Sequence, residues 1–218
     1  MLVVPRPDRP AGSERWVVRE YVRGGALAGL MGDRYVRLGT PRPVREFRLA
    51  RALEALGIPT PAAVGAATYP RGPWYRGELV TEWVPGSADL ARILFGRAAL
   101  GDAAAGAPAP PVCDPALAMR AAGRLVAVLH EAGVRHPDLN IKNILVEAGP
   151  GFPRALVLDL DRACLVGRLS GRARRRMLER FERSLRKWER RTGTAIPPSL
   201  RAAFLGGYGD PGPEALRR

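Results

Sequence analysis

The sequence predicts an α+β fold with two lobes: a small amino-terminal lobe rich in strands and a larger, mostly helical carboxy-terminal lobe. Short apolar segments bounded by glycine and proline, with one helical segment among them, dominate the first 85 residues. Longer segments of helical periodicity flank a pair of strand-like segments in residues 86–204. We therefore assign residues 1–85 to the first lobe, 86–204 to the second, and 205–218 to a flexible tail.

The pattern around which the chain is organised begins at His136. The segment His-Pro-Asp-Leu-Asn-Ile-Lys-Asn fits H-x-D-L-x-x-x-N, the catalytic-loop pattern of protein kinases, and an apolar strand follows it. A second apolar strand then ends in Asp159-Leu160-Asp161. In phosphoryl transfer the acceptor hydroxyl needs a nearby carboxylate, and the magnesium ions on ATP need hard oxygen ligands. Asp138 is the candidate base, and Asn143 and Asp159 are the candidate metal ligands.

The pattern also has an ordinary interpretation. Asp and Asn in such turns often bond only to nearby backbone and take no part in chemistry. Four matched positions, two following strands and a carboxylate at the end of the second strand together favour the kinase-like interpretation.

The first lobe contains a candidate for binding nucleotide phosphates. Residues 15–23 are apolar-rich and lie between glycines, which predicts a strand. Within it, Val17-Val18-Arg19 stands where kinases show Val-Ala-Ile-Lys, so Arg19 is the candidate cation and Glu46 its candidate partner. Alternatively, Arg19 is a solvent-facing strand residue and Glu46 only interacts with the dipole of its helix.

The rest of the first lobe is predicted from periodicity and turn residues. Residues 43–56 form a helix that ends before Gly57 and Pro59. Residues 62–69 and 78–84 form a hairpin whose connection contains Pro70, Gly72, Pro73 and Gly77. The hinge to the second lobe follows, and the backbone of Glu82 and Val84 is the candidate for adenine binding, on the basis of order along the chain alone.

The second lobe is predicted to contain two long helices. Residues 97–111 are mostly Ala, Gly and Pro and form a surface loop. Asp114-Pro115 begins a helix that ends at Gly133, and within it we expect His130 to be packed or capping. Residues 172–191 hold ten Lys or Arg against three Glu, interleaved with apolar residues at helical spacing. That helix suits either an anionic membrane surface or ordinary docking on the lobe.

Composition limits the location and the partners. The formal net charge is +14 and the pI is near 11.2, which favours anionic partners or reflects genome base composition. Cys113 and Cys164 are too few for a disulfide framework. Leu2-Val3-Val4 is too short for a signal peptide, and no apolar run approaches the length of a membrane span. We expect a cytoplasmic monomer with no nucleic-acid partner.

Together these stretches resemble the lipopolysaccharide core kinases, most closely the 3-deoxy-D-manno-octulosonic acid (Kdo) kinases, which have a small protein-kinase-like fold. The resemblance covers about residues 16–188 and rests on the His136 loop and six further segments. Those segments are Val18-Arg19-Glu20-Tyr21-Val22-Arg23-Gly24-Gly25, Asp33-Arg34-Tyr35, Arg45-Glu46-Phe47, Gly57-Ile58-Pro59-Thr60-Pro61, Leu79-Val80-Thr81-Glu82 and Leu158-Asp159-Leu160-Asp161-Arg162.

The resemblance implies an enzyme that transfers the γ-phosphate of ATP, with Mg²⁺, to the Kdo unit on lipid A at the cytoplasmic face of the inner membrane. It implies Asp138 as base, Asn143 and Asp159 as magnesium ligands, and Arg19 with Glu46 on the nucleotide phosphates. Lys142 is our own candidate for neutralising charge on the transferred group. The basic segment 172–191 is compatible with peripheral membrane contact.

Three departures leave alternatives open. Asp161 stands where Asp-Phe-Gly has glycine, and Asn140 replaces a lysine common in Ser/Thr kinases, which argues against a protein acceptor. Only fifteen residues precede Trp16, and Ala11-Gly12-Ser13 is a poor phosphate-covering loop, so the first strand of the lobe is in question. The alternatives are a kinase for another sugar, antibiotic or protein acceptor, and a non-catalytic pseudokinase that binds anionic surfaces.

Overall fold

The computed structural model describes residues 2–5, 15–21, 35–36, 39–96, 113–149 and 152–210. The chain divides into two compact units, each described by itself below. The strand unit comprises Met1–Ala55 and Pro61–Trp83, and the helical unit comprises Leu56–Thr60 and Val84–Arg218.

The described part of the strand unit is an antiparallel sheet with one helix. Strand β5 is its centre, since it pairs with β4 along one edge and with β2 and β3 along the other, while β1 pairs with β2. The elements are β1 (Leu2–Pro5), β2 (Arg15–Glu20), β3 (Tyr35–Val36), α1 (Arg42–Ala55), β4 (Ala63–Arg71) and β5 (Trp74–Glu82).

A strand does precede β2, which the sequence analysis left in question. Strand β1 pairs antiparallel with β2, with Leu2 opposite Val18 and Pro5 opposite Arg15. Its β-branched residues suit a strand, but four residues are recognisable as one only when a partner strand is in place. Residues 11–13 and 22–23, on which two of the sequence-based expectations depended, lie outside the described residues.

The hairpin has longer strands and a shorter connection than predicted. Strand β4 runs to Arg71 and β5 begins at Trp74, so only Gly72 and Pro73 connect them. Gly77, predicted in the connection, is buried inside β5. Helix α1 begins against it, because a Cβ added at Gly77 would lie 2.6 Å from Cγ of Pro43. The lack of a side chain at Gly77 therefore allows α1 to approach β5 closely, and it does not indicate a turn.

The described part of the helical unit has the two predicted long helices, a short helix before them, another helix after them, and two small antiparallel sheets. The sheets have the orders β6-β8-β9 and β7-β10. The elements are β6 (Ser87–Asp89), α2 (Leu90–Phe95), α3 (Pro115–Glu131), β7 (Val134–Arg135), a 3₁₀ turn (Ile141–Asn143), β8 (Ile144–Glu147), β9 (Arg154–Val157), β10 (Cys164–Leu165), α4 (Gly171–Thr192) and α5 (Pro198–Gly209).

Helix α3 is the core of this unit and begins as predicted. Asp114 caps it, since its Oδ1 accepts from the backbone N–H of Ala116 at 2.7 Å and of Leu117 at 3.0 Å. The residues that α3 buries completely are Ala118, Met119, Ala122, Val126 and Leu129. Gly133 follows the helix with a φ of 73°, the left-handed conformation that a glycine adopts readily.

Helix α4 packs its apolar stripe inside the helical unit. Met177, Phe181, Leu185 and Trp188 are all buried. Phe181 stacks on Phe204 of α5 at a centroid distance of 4.4 Å, and Trp188 on Phe95 of α2 at 6.2 Å. The stripe is therefore already covered by protein, and what α4 presents to solvent is charged. No helix in the described ranges is both long and apolar enough to span a membrane.

The chain does not fray after Phe204, contrary to the expectation for residues 205–209. These residues continue α5, which crosses α3 at close range. A Cβ at Gly207 would lie 2.0 Å from the carbonyl oxygen of Arg120, and one at Gly123 would lie 2.1 Å from that of Phe204. The glycines that lower helix propensity are what allow the two backbones to meet, and this packing holds the helix.

We expect Gly207→Ala to destabilise the protein by about 1–3 kcal/mol, because the new methyl group has no room against Arg120. Gly206→Ala is the matched control, since its Cβ would meet nothing closer than 3.8 Å. The control should gain roughly 0.5–1 kcal/mol from the better helix propensity of alanine. Urea unfolding measures both, and equal stability of the two variants would contradict the close crossing.

His130 is buried at the end of α3, as predicted, and titrates far from its ordinary range. Its Nδ1 forms a 2.9 Å hydrogen bond with the Tyr208 hydroxyl of α5. Burial, with a smaller contribution from the charge of Arg174 on α4, lowers the pKa of His130 to about 4. The imidazole is therefore neutral in the folded protein at pH 7.

Because the folded pKa of His130 lies below the unfolded value, this histidine favours folding above about pH 6.5. That contribution is lost as the pH falls from 6.5 towards 4, where the unfolded chain binds the extra proton. We expect His130→Gln to flatten the dependence of unfolding free energy on pH within this window. Chemical denaturation at a series of pH values measures the difference from the parent protein, and parallel curves would refute the assignment.

Candidate active site

The predicted catalytic loop lies between β7 and β8 and is anchored in the core of the helical unit. Leu139 and Ile141 are fully buried, while Asp138 between them and β7 remains partly exposed. The backbone N–H of Leu139 donates to the carbonyl of His136 at 3.2 Å. The apolar residues of the pattern thus fix the loop and leave the carboxylate of Asp138 facing outward.

Two amide side chains hold the backbone of Asp138. The Nδ2 groups of Asn140 and Asn143 donate to the Asp138 carbonyl at 2.9 and 3.0 Å. The spacing of five residues therefore places the Asn143 side chain within hydrogen-bonding distance of the Asp138 backbone, across the 3₁₀ turn. Since the nitrogen of the Asn143 amide is used in this bond, its oxygen is the atom suited to a cation.

His136 connects the loop to the segment that leads from β9 to Asp159. Its ring is fully buried, and Nε2 lies 3.1 Å from the carbonyl oxygen of Leu158. The backbone N–H of Leu158 donates to the carbonyl of Asn143 at 2.9 Å. The segments that carry Asp138, Asn143 and Asp159 are thus joined directly, as the sequence pattern required.

Asp159 itself adopts a left-handed backbone conformation. Its φ is 58°, and no other non-glycine residue in the described ranges has a positive φ. Such a conformation costs a non-glycine residue roughly 1–2 kcal/mol, less for Asp and Asn than for others. Strain of this kind is typical of residues whose side-chain direction matters for function.

Sequence reasoning missed Arg180, the residue that holds the carboxylate of Asp138. Its Nη2 and Nε donate to Oδ1 of Asp138 at 2.6 and 3.1 Å, and both side chains are about one third exposed. Nearby on α4, Oγ of Ser184 accepts from the backbone N–H of Ile141 at 3.4 Å. Ser184 interrupts the apolar stripe of α4, and this was the one sign in the sequence that this face of the helix contacts polar backbone groups.

The structure gives Lys142 a different contact from the one predicted. Its ammonium lies over the Trp188 ring of α4, 5.4 Å from the centroid. This is the geometry of a cation–π interaction. A role in neutralising the transferred group stays a prediction.

In the strand unit, Arg19 and Glu46 form an ion pair. Glu46 on α1 is 4% exposed and Arg19 on β2 is 32% exposed. The Tyr21 hydroxyl also donates to the same carboxylate oxygen of Glu46, and the Arg19 guanidinium lies 5.1 Å from the Tyr21 ring centroid. Tyr21 is thus a third partner of this ion pair, and sequence reasoning did not include it.

The two hinge residues lie where the chain passes from the strand unit to the helical unit. The backbone N–H of Glu82 donates to the carbonyl of Ala62 at 2.9 Å. The carbonyl of Val84 accepts from the Ser87 hydroxyl at 2.7 Å. These bonds fix the segment, and its use for adenine binding stays a prediction.

Comparison with known proteins decides the family. A model described as the lipopolysaccharide kinase (Kdo/WaaP) family matches residues 9–199. The chain belongs to that family. The match includes every candidate site residue named above, and the resemblance stated from the sequence is confirmed.

Curated relatives within the Kdo/WaaP family carry the name 3-deoxy-D-manno-octulosonic acid kinase. The chain is 38% identical over 185 residues to that of Xanthomonas oryzae pv. oryzae strain PXO99A, and 36% identical over 185 residues to that of Stenotrophomonas maltophilia strain K279a. Each match covers 83% of this chain and 64% of the relative. The chain therefore spans less than two thirds of the length of these relatives.

A solved structure of WaaP in complex with acyl carrier protein shares the fold. The TM-score is 0.55 at 20% identity, over 95% of this chain and 77% of that one. The predicted α+β, protein-kinase-like fold class is confirmed.

The donor set of this Kdo/WaaP family member fits a magnesium ion bound together with a nucleotide. Asn143 and Asp159 offer amide and carboxylate oxygens, the hard ligands that Mg²⁺ prefers. Within the described ranges, no group of three or more His, Cys, Asp or Glu side chains could hold a metal unaided. A magnesium ion here would take its remaining ligands from phosphate and water.

We expect Arg19→Met to destabilise the protein by roughly 2–4 kcal/mol, because it removes the guanidinium that pairs with the buried carboxylate of Glu46. The double variant Arg19→Met/Glu46→Gln should recover much of this loss, since the buried negative charge is then gone. Glu46→Gln completes the double-mutant cycle, which is measured by urea unfolding. Additive losses would mean that the two side chains do not interact.

Proposed function

We propose that this protein transfers the γ-phosphate of ATP to a hydroxyl of Kdo on lipid A, in lipopolysaccharide core biosynthesis. The observation that carries the proposal is the bonded arrangement of the His136 loop with the end of β9. The names of the curated relatives at 36–38% identity support the acceptor.

In this proposal Asp138 orients the acceptor hydroxyl and takes its proton. Its backbone is held by two amides and its carboxylate by Arg180, so it can act without reorganising. Because Arg180 bonds to Oδ1, the second oxygen of the carboxylate is the one to face the hydroxyl. Arg180 acts through Asp138 and is a positioning residue.

The proposal also assigns individual residues to the nucleotide. Asn143 and Asp159 would hold Mg²⁺, which when bound neutralises charge on the phosphates. Arg19, kept in place by Glu46, would contact the phosphates as a planar fork rather than as the point charge of a lysine. The backbone of Glu82 and Val84 would contact adenine, and Lys142 would add positive charge.

We also propose peripheral contact with the inner membrane, where a lipid A acceptor resides. Because the apolar stripe of α4 is buried, this contact would be electrostatic and made by the exposed basic residues of segment 172–191. Such a contact weakens as salt increases.

The proposal is tested with purified protein, ATP, magnesium and Kdo-lipid A. We expect Asp138→Asn to lower turnover by about 10²–10⁴-fold with ATP binding retained, because the proton acceptor is lost while the proposed nucleotide ligands stay in place. Asp159→Ala should remove the magnesium-dependent part of ATP affinity. Asp210→Asn, a change at an exposed carboxylate 3.9 Å from its partner Arg124, is the matched control.

Three results would count against these assignments. They are no phosphate incorporation above that of Asp138→Ala, equal loss of ATP binding in the variants at 138 and 159, and labelling of another acceptor in preference to Kdo. The last result would keep the kinase activity and reassign the acceptor.

A further inference from the structure

A pocket lined by arginines lies beside the catalytic loop, within the helical unit. Its volume is about 620 Å³. This lies within the range of roughly 300–1,000 Å³ that is usual for small-molecule sites. Pro137, the neighbour of Asp138, forms part of its wall, and the first three turns of α4 form another part.

The pocket is strongly positive. Arg135, Arg172, Arg176, Arg180 and Arg183 line it, against a single acidic residue, Glu179.

Little of this charge is neutralised by the protein. Glu179 lies 3.9 Å from Arg183, too far for a hydrogen bond. Arg135, Arg172 and Arg176 have no carboxylate partner within the described part of the chain. The first turn of α4 adds the positive end of its helix dipole.

Arg180 links this charge to the chemistry of the loop. The same guanidinium lines the pocket and bonds to Oδ1 of Asp138 at 2.6 Å. A molecule that contacts Arg180 in the pocket is therefore separated from the proposed base only by the Arg180 side chain. Ala173, Met177 and Pro137 give the pocket an apolar surface against which a sugar ring can pack.

We propose that this arginine pocket is the acceptor subsite and binds an oxyanion of the acidic glycolipid, its sugar carboxylate or its phosphate. This rests on the proposed function. Guanidinium groups pair with both oxyanions through two parallel hydrogen bonds, whereas a neutral sugar would leave the charges of Arg135, Arg172 and Arg176 without compensation. Binding of the anion at the pocket places a neighbouring hydroxyl at Asp138.

The test is direct binding without nucleotide, so that it does not depend on turnover. The probes are Kdo-lipid A in detergent micelles, the same glycolipid with its lipid A phosphates removed, and free Kdo. The pocket variant is Arg172→Gln/Arg176→Gln. The matched control is Arg175→Gln/Arg190→Gln, which removes two exposed arginines from the same helix but none from the pocket lining.

We expect the pocket variant to bind Kdo-lipid A at least about tenfold more weakly, the effect of losing charge-assisted hydrogen bonds. The control should lose only the general attraction of exposed α4 residues to an anionic micelle, a loss several-fold smaller than that of the pocket variant. Both variants should keep the parent protein's ATP affinity and unfolding midpoint. Loss of arginine-dependent binding on dephosphorylation assigns the anion to phosphate. Arginine-dependent binding of free Kdo assigns it to the carboxylate.

Equal weakening in both double variants would overturn the proposal, because it would show general surface attraction rather than a subsite. Unchanged affinity in the pocket variant would overturn it as well. Failure of the proposed function would give a different result. If the glycolipid binds in an arginine-dependent way but no phosphate is transferred, the kinase reaction is rejected and the pocket proposal stands. If the pocket variant transfers phosphate with an unchanged KM for the acceptor, the pocket proposal is rejected and the proposed reaction stands.

Discussion

The hydrogen bond between the buried His136 ring and the Leu158 carbonyl is the constraint on which the candidate site depends. With the backbone bond from Leu158 to Asn143, it joins two segments that are separated along the chain by a whole hairpin. The His136 ring is fully buried, and a lost hydrogen-bond partner costs more there than in water. Asp138, Asn143 and Asp159, the proposed base and metal ligands, therefore lie on segments that are held in place by the core of the helical unit.

Helix α4 supports this arrangement from a second side. It buries an apolar stripe in the helical unit, which leaves Arg180 and Ser184 to meet the loop and the basic residues to meet solvent. One element thus stabilises the fold, orients the carboxylate of Asp138 and lines a positive pocket beside it. Five of the arginines that contribute to the net charge of +14 line this pocket, and composition alone could not show where they lie.

Local patterns in the sequence predicted the elements well where those patterns decide the structure. The caps at Asp114 and Gly133, the presence of a hairpin and the His136 loop all depend on neighbours within a few residues. Three features were missed because they depend on distant partners. Arg180 is 42 residues from Asp138, β1 needs β2 beside it, and the glycines of α5 resemble a frayed tail until α3 is placed against them. A glycine has the same propensity in both settings, and only tertiary packing distinguishes them.

The backbone at Asp159 has a consequence for how this protein can change over time. A left-handed φ accepts glycine more readily than aspartate, and a single nucleotide exchange in an aspartate codon produces glycine. Such a replacement would relax the main chain while removing the carboxylate. Under the proposed function, loss of the Asp159 carboxylate would therefore carry no folding penalty from the backbone, and a non-catalytic scaffold would lie one mutational step from the enzyme.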